Sequence, residues 1–297
     1  MVGAMIAEAR SYLWEHGRIL EQRRFDYLFG DGPAEAVIAA VLAYRNTDGG
    51  FGHALEPDGR GPLSQPLHTY TAMLRLDEVG DHTQMAAAAD YLQSVASADG
   101  GVSVGVAAAA SHPHAPWWST SGEPDLLATA LTVSIFLKVG LLDHPWVSAA
   151  TAYCWTALDA MQDTHPYEAI AAARFLDYVP DRERAVPASE RLGALVRAKR
   201  LVDLSDSSDS APTEAAGYSA GETHRPHDFA PRPDCLARTW FSTMELDASL
   251  AHLASEQTAD GGWPFSWPAW TPVNIHDWGG VVTMDALMVL RAYGIRT

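Results

Sequence analysis

The sequence predicts an all-α fold of paired helices, and three observations carry that prediction. Apolar residues recur at the helical period through ten stretches of the 297-residue chain. The alternating apolar and polar runs that mark strands are nearly absent. Asp-Gly-Gly followed by an apolar residue is written three times, as Asp48-Gly49-Gly50-Phe51, Asp99-Gly100-Gly101-Val102 and Asp260-Gly261-Gly262-Trp263. Each copy ends a helical stretch. The first two are 51 residues apart and the third follows after 161, close to three times that period, which suggests a repeat architecture. Glycines at a helix end supply the left-handed backbone angles a chain needs to stop and reverse, and the aspartate can bond nearby amides. The triplet therefore reads as punctuation between helices. Helix hairpins repeated at this interval need neighbours to bury their second face, so they must stack into a solenoid or close into a ring.

In chain order the period predicts helices near 4–21, 33–46, 66–79, 83–97, 124–140, 145–161, 166–178, 181–200, 241–257 and 278–293. The first carries Glu8, Arg10 and Glu15 at amphipathic spacing, unlike the uninterrupted apolar core of a signal peptide. The second opens at Pro33, where a first helical turn tolerates proline. Ala86 to Ala89 give the fourth a high intrinsic helix propensity. In the run Arg174 to Arg200, Arg182, Arg184, Arg191 and Arg197 stand among acidic residues, the mixed-sign pattern of a solvated outer helix. The helices near 33–46, 66–79, 124–140, 166–178 and 278–293 are expected to be the inner ones. Two longer loops interrupt the series, at 102–123 and 202–239. The second holds the polar tract Ser205-Asp206-Ser207-Ser208-Asp209-Ser210, which reads as flexible and solvated.

Composition narrows the function classes. An apolar fraction of 47% suffices for a sizeable core, and one large domain accommodates the length. Lys and Arg number 20 against 37 acidic residues, and a formal charge of -17 argues against nucleic-acid backbones and anionic membranes as partners. Cys154 and Cys235 form no CxxC pattern, so a reduced cytosol is the simpler setting. No 18 consecutive apolar residues occur without charge or turn signals. The expectation is a soluble cytoplasmic protein with no membrane span.

Two motifs resemble known repeats. Gln257-Thr258-Ala259-Asp260-Gly261-Gly262-Trp263 resembles the QW motif, Gln-x-x-x-Gly-x-Trp, of squalene-hopene and oxidosqualene cyclases. Asp48-Gly49-Gly50-Phe51-Gly52, followed by His68-Thr69-Tyr70 at a helix start, looks like the repeat of protein prenyltransferase beta subunits. The whole chain is also similar to a group of actinobacterial prenyltransferase-like proteins. The resemblance implies a single α/α toroid over residues 1–297, of five to six helix hairpins whose inner helices line an apolar cavity. It implies as substrate a small apolar molecule of isoprenoid type. The sequence departs from the pattern: Arg45 and Ala96 stand where the first two copies would carry the leading glutamine. Neither the Asp-x-Asp-Asp of class II cyclases nor the Asp-Asp-x-x-Asp of magnesium-diphosphate sites occurs. Asp234-Cys235 and His68 are poor counterparts of the prenyltransferase zinc ligands, because adjacent side chains seldom converge on one metal. No metal and no cofactor are expected.

The candidate chemistry lies beside the first and last triplets. His53-Ala54-Leu55-Glu56-Pro57-Asp58-Gly59-Arg60 offers an imidazole and two carboxylates, Glu56 and Asp58, for donating and accepting a proton; the other reading is an exposed loop tied by local bonds. Glu123-Pro124-Asp125 adds Asp125 as a further candidate acid. His68 and Tyr70 open an inner helix. His112-Pro113-His114 is too short for a metal site, whereas His114, Trp117 and Trp118 either line a pocket or simply pack. Trp267, Trp270, His276, Asp277 and Trp278 precede the last expected helix. They read either as an aromatic wall with an acid or as a hydrophobic seam with Asp277 capping the helix. The expected function is proton-transfer chemistry on an isoprenoid-type substrate by Glu56, Asp58, Asp125 or Asp277. The alternatives are a carbohydrate-active enzyme, since α/α barrels also carry glycosidases and lyases, and a non-catalytic ligand-binding toroid. No Gly-x-Ser-x-Gly elbow supports acyl hydrolysis.

Overall fold

Proline and capping residues set most of the helix starts. The computed structural model describes residues 2–204 and 222–295, and these are all-helical. In order they form α1 (Val2–His16), α2 (Ile19–Phe29), α3 (Ala34–Leu42), α4 (Pro66–Asp77), α5 (Met85–Val95) and α6 (Leu126–Lys138). There follow α7 (Pro145–Ala160), α8 (Pro166–Tyr178), α9 (Arg182–Ala198), α10 (Pro226–Phe229), α11 (Thr243–Ser255) and α12 (Pro272–Ala292). Prolines occupy the first turn of α4, α7, α8, α10 and α12, where the missing N–H has no intrahelical acceptor to lose. Asp125 caps α6 by accepting from the Ala128 amide at 2.6 Å, and Ser242 with Glu245 forms a capping box on α11. Among the described residues there is no strand, only two isolated bridges, Arg45 to Phe51 and Gly59 to His114. No helix among them is long and apolar enough to cross a membrane.

The chain divides into two compact units, one comprising Met1–Ala36 with Gly193–Thr297, the other Val37–Leu192. In the unit Val37–Leu192, α4, α6 and α8 pack as successive neighbours, and α5 and α7 pack on each other and on this row. Met73, Leu76, Val133, Phe136, Phe175 and Leu176 from the row are buried, as are Leu92 of α5 and Trp146 of α7, the latter edge-on to Phe136 at 5.3 Å. Full burial of each such side chain stabilises by about 1.5–3 kcal/mol. In the other unit α12 packs against α1, α2 and α11, burying Leu13, Phe25, Trp263, Met284, Leu287 and Leu290.

The three Asp-Gly-Gly triplets are one device used three times. Gly49, Gly100 and Gly261 have φ of 89°, 90° and 92°. Each lies flat on the backbone of a helix: Ala87 of α5, Ala149 of α7 and Glu8 of α1. A Cβ at Gly49 would fall 2.5 Å from the Ala87 carbonyl oxygen, and one at Gly100 2.5 Å from the Ala149 carbonyl carbon, so glycine is required twice over. Four residues on, one helical turn later, the same helices carry Tyr91, Tyr153 and Tyr12, whose rings cover Gly50, Gly101 and Gly262. Burial raises the pKa of all three phenols, and the triplet aspartates Asp48, Asp99 and Asp260 push the same way. The residue after the glycines then points its amide at a threonine of the next helix. Phe51 donates to Thr69 at 3.1 Å, Val102 to Thr129 at 2.9 Å and Trp263 to Thr283 at 3.0 Å.

Several elements differ from the sequence expectation. The stretch 4–21 is two helices: α1 stops at His16, and Arg18, extended at ψ 161°, caps α2 and binds Glu21. The helix expected at 33–46 ends at Leu42, because the chain must turn for Arg45 to pair with Phe51. The last helix starts at Pro272 rather than 278, with Thr271 as its cap, so Asp277 sits inside the second turn and not at the cap. Within the two expected loops, Ala107–Ser111 and Leu236–Trp240 are short 3-10 turns and Pro226–Phe229 is α10. The Ser205 to Ser210 tract lies outside the described residues.

Candidate functional site

The turn after the first triplet brings two distant loops together. His53 and Ala54 take left-handed angles, φ 59° and 63°, a conformation that L-residues adopt at some energetic cost. This reverses the chain so that residues 56–60 run beside 112–118. The Arg60 amide donates to the Pro113 carbonyl at 2.9 Å and the Ala115 amide to the Asp58 carbonyl at 2.7 Å.

Five predicted residues meet there. Glu56, Asp58, His68 and Trp118 are buried, and Trp117 remains 45% exposed. The Glu56 amide donates to His68 Nδ1 at 3.0 Å, which leaves Nδ1 without a proton and makes His68 a neutral imidazole protonated on Nε2. Glu56 Oε2 accepts from the Asp58 amide at 2.9 Å, and Asp58 Oδ2 accepts from the Trp117 indole at 2.7 Å. The Trp118 ring lies 5.4 Å from the His68 ring, and its indole N–H donates to Gln65 Oε1 at 2.9 Å. Gly59 crosses this cluster so closely that a Cβ would sit 2.8 Å from His68 Nε2 and 3.0 Å from the Trp118 ring.

The other predicted residues lie elsewhere. His53 is exposed and bonds Asn46, and His114 donates from Nδ1 to the His112 carbonyl at 2.7 Å, within its own loop. Tyr70 follows His68 on α4, but its hydroxyl accepts from Arg174 of α8. Asp125 is half-buried at the start of α6. Burial pushes its carboxyl above the usual range, the Ala128 amide works against this, and the Glu168 carboxylate adds to the rise. Glu168, in the first turn of α8, accepts from Thr164 at 2.9 Å. Burial holds His165 below its ordinary pKa while Glu168 opposes this.

In the unit that contains α12, Trp267 packs at 4.9 Å and 85° on Trp278 and at 5.0 Å on Phe265. The Trp267 and Trp270 indole nitrogens are buried without a hydrogen-bond partner among the described residues. Asp277 is buried, whereas His276 is exposed and stacks at 5.2 Å on His16. Among the described residues no group of three or more His, Cys, Asp or Glu is arranged to hold a metal ion. Cys235 donates its thiol to the Arg232 carbonyl, and Asp234 pairs with Arg232 at 3.0 Å.

Sequence reasoning missed Gln65, Glu168 and Asn274. Gln65 caps α4; Glu168 and Asn274 stand two residues after a first-turn proline, as His68 does. The pattern Pro66-Leu67-His68, Pro166-Tyr167-Glu168, Pro272-Val273-Asn274 was the available signal: a polar side chain recurring in the first helical turn.

Comparison with known proteins bears on the fold alone. No protein-family model matches the chain, and no curated protein matches it. A crystal structure of a protein from Actinoplanes is similar to it, with a TM-score of 0.62 at 15% identity over 99% of this chain and 100% of that one.

Proposed function

We propose that this chain is an α/α toroid enzyme of the terpene cyclase and prenyltransferase-like kind, acting in the cytoplasm by proton transfer on a small apolar substrate of isoprenoid type. The observation that supports the reading is the meeting of Glu56, Asp58, His68, Trp117 and Trp118 in one cluster, from loops and a helix far apart in sequence. One carboxyl, Glu56 or Asp58, delivers a proton to a substrate double bond, and the resulting carbocation lies against the exposed face of Trp117. A neighbouring carbon then loses a proton to the other carboxylate, so that one proton enters and one leaves. The product is an isomer of the substrate, cyclised or with its double bond moved. The bond from the Glu56 amide fixes His68 as a neutral imidazole with its Nε2–H as donor, so it positions the Glu56 loop rather than taking the proton.

Glu56→Gln and Asp58→Asn are expected to abolish turnover of the responsive substrate in a gas-chromatographic screen of linear isoprenoid alcohols and diphosphates, with the fold retained. A broad screen without a product, together with mass spectrometry that finds only saccharide co-purified, would refute the isoprenoid reading. The carbohydrate reading rests on a different observation, the placement of Asp125 at the start of α6 and Glu168 in the first turn of α8, two helices packed on each other. It predicts that Asp125→Asn and Glu168→Gln, rather than the changes at 56 and 58, abolish hydrolysis or elimination on an oligosaccharide panel.

A further inference from the structure

We propose that residues 106–118 are a lid over the Glu56, Asp58 and His68 cluster, necked at Gly105 and Ser119 and latched to Asp58, and that this lid swings outward to admit substrate. Its task rests on the reading of that cluster as an acid-base site, whereas its motion is a property of the free chain. Glu56, Asp58 and His68 are 8%, 6% and 0% exposed, so a carboxyl there meets no substrate double bond until something covering it moves. The covering segment carries Trp117 and Trp118. The Trp118 ring packs on His68 and Gly59, and the Trp117 indole holds Asp58 Oδ2 at 2.7 Å.

This segment is built to move as one piece. Its ends are joined by a bond from the Gly105 amide to the Ser119 carbonyl at 3.1 Å. Its length falls in the roughly 6–16-residue range of Ω-loops, which pack on themselves and are frequently functional. Within it Ala109 donates to Val106, His112 to Ala109 and Trp118 to Ala115, each at 2.9 Å, and His114 Nδ1 bonds the His112 carbonyl. Of its residues Ala109, Ala115 and Trp118 are buried, and two of those side chains are single methyl groups. One indole thus supplies most of the apolar anchorage, and such weakly held segments are the ones from which lids are drawn. The carboxyl-bearing segment is the fixed partner, because the Glu56 amide is tied to His68 in the first turn of α4. The latch between the two joins the Arg60 amide to the Pro113 carbonyl, the Ala115 amide to the Asp58 carbonyl and the Trp117 indole to the Asp58 carboxylate. Opening therefore releases Asp58 Oδ2, and closing over a bound substrate shuts out the water that would quench a carbocation. Glycine stands on both sides of the swing, at Gly105 in the neck and at Gly122 with φ 76°.

The test is amide hydrogen exchange of the full chain, read at single residues by mass spectrometry with fragmentation, at urea concentrations far below unfolding. The Arg60 and Ala115 amides lie on opposite sides of the latch, and the Val102 and Thr129 amides are bonded in the adjoining core. Arg60 and Ala115 are expected to show matching protection, to exchange at least about a hundredfold faster than Val102 and Thr129, and to do so without dependence on urea. Trp117→Phe keeps a ring but removes the indole donor, and should speed exchange at Arg60 and Ala115 about tenfold while leaving Val102 and Thr129 unchanged. Arg60 and Ala115 protected as strongly as Val102, or unmoved by Trp117→Phe, overturn the lid. The measurement needs no substrate. An opening lid in a chain that yields no product in the isoprenoid screen supports the lid and counts against the acid-base reading alone; a closed one in a chain that yields product counts against the lid alone.

Discussion

Gly100→Ala tests the close approach of the triplets to the helices they press on, and Gly80→Ala is its control. Both glycines have positive φ, 90° and 72°, so both substitutions incur the left-handed penalty of about 1–2 kcal/mol. They differ in surroundings. A Cβ at Gly80 meets nothing within 4 Å, whereas one at Gly100 lies 2.5 Å from the Ala149 carbonyl carbon and 2.7 Å from the Ala150 nitrogen. Those neighbours are backbone in the middle of α7, which cannot rotate away as a side chain would. Overpacking against such a surface costs about 1–3 kcal/mol more. Gly100→Ala should therefore destabilise by about 2–5 kcal/mol and Gly80→Ala by about 1–2. For a unit of roughly 150 residues, each kcal/mol lowers Tm by about 2–4 °C. Urea titrations of the two variants and the parent, read by far-ultraviolet circular dichroism, give the difference directly. If the two losses agree within about 0.5 kcal/mol, α7 yields to the added methyl and the argument for a rigid contact fails.

Thr129→Val leaves the buried Val102 amide without its acceptor and should cost about 1–3 kcal/mol, while Thr129→Ser should recover most of the loss; urea midpoints of the pair decide it. The Asp125 carboxyl is raised in the fold, so the native state binds more protons than the unfolded one as pH rises from 3.8, and stability falls through that window. Asp125→Asn keeps a capping side chain and should flatten this part of the pH-stability profile, a change visible in denaturation midpoints measured in steps from acid to neutral pH. Burial pushes the Cys154 thiol well above its usual range, so in a Cys235→Ser background a thiol reagent should label the native protein no faster than it unfolds.

What the sequence made legible followed local chemistry. The range of α8 was read correctly because Pro166 marks its start, and the Pro66 start of α4 was equally plain. α2 escaped because Glu21-Gln22-Arg23-Arg24 breaks the apolar period on which helix reading depends, although Glu21 and Arg24 are buried in the fold. At the last helix the tryptophans and paired glycines obscured the stronger signal, Thr271 followed by Pro272. The threonine partners of the triplets were hidden by spacing: they lie 18, 27 and 20 residues after their amides, because loops of unequal length intervene. The candidate cluster was legible only as separate pieces. Asp58 and Trp117 are 59 residues apart, and nothing in either segment announces the other until the left-handed turn at His53 and Ala54 aims one at it.

The third triplet rests on α1, with Gly261 on the backbone of Glu8 and Gly262 under the ring of Tyr12, and Gln257 Nε2 donates to the Met5 carbonyl at 2.9 Å. For a chain made from its amino end on the ribosome, this has a consequence for the order of events. The first helix emerges long before the residues that cover it, and the whole of Val37–Leu192 is translated in between. Synthesis at about 5–20 residues per second leaves the apolar face of α1 waiting on the order of ten seconds or more. That face is one a chaperone would meet during translation.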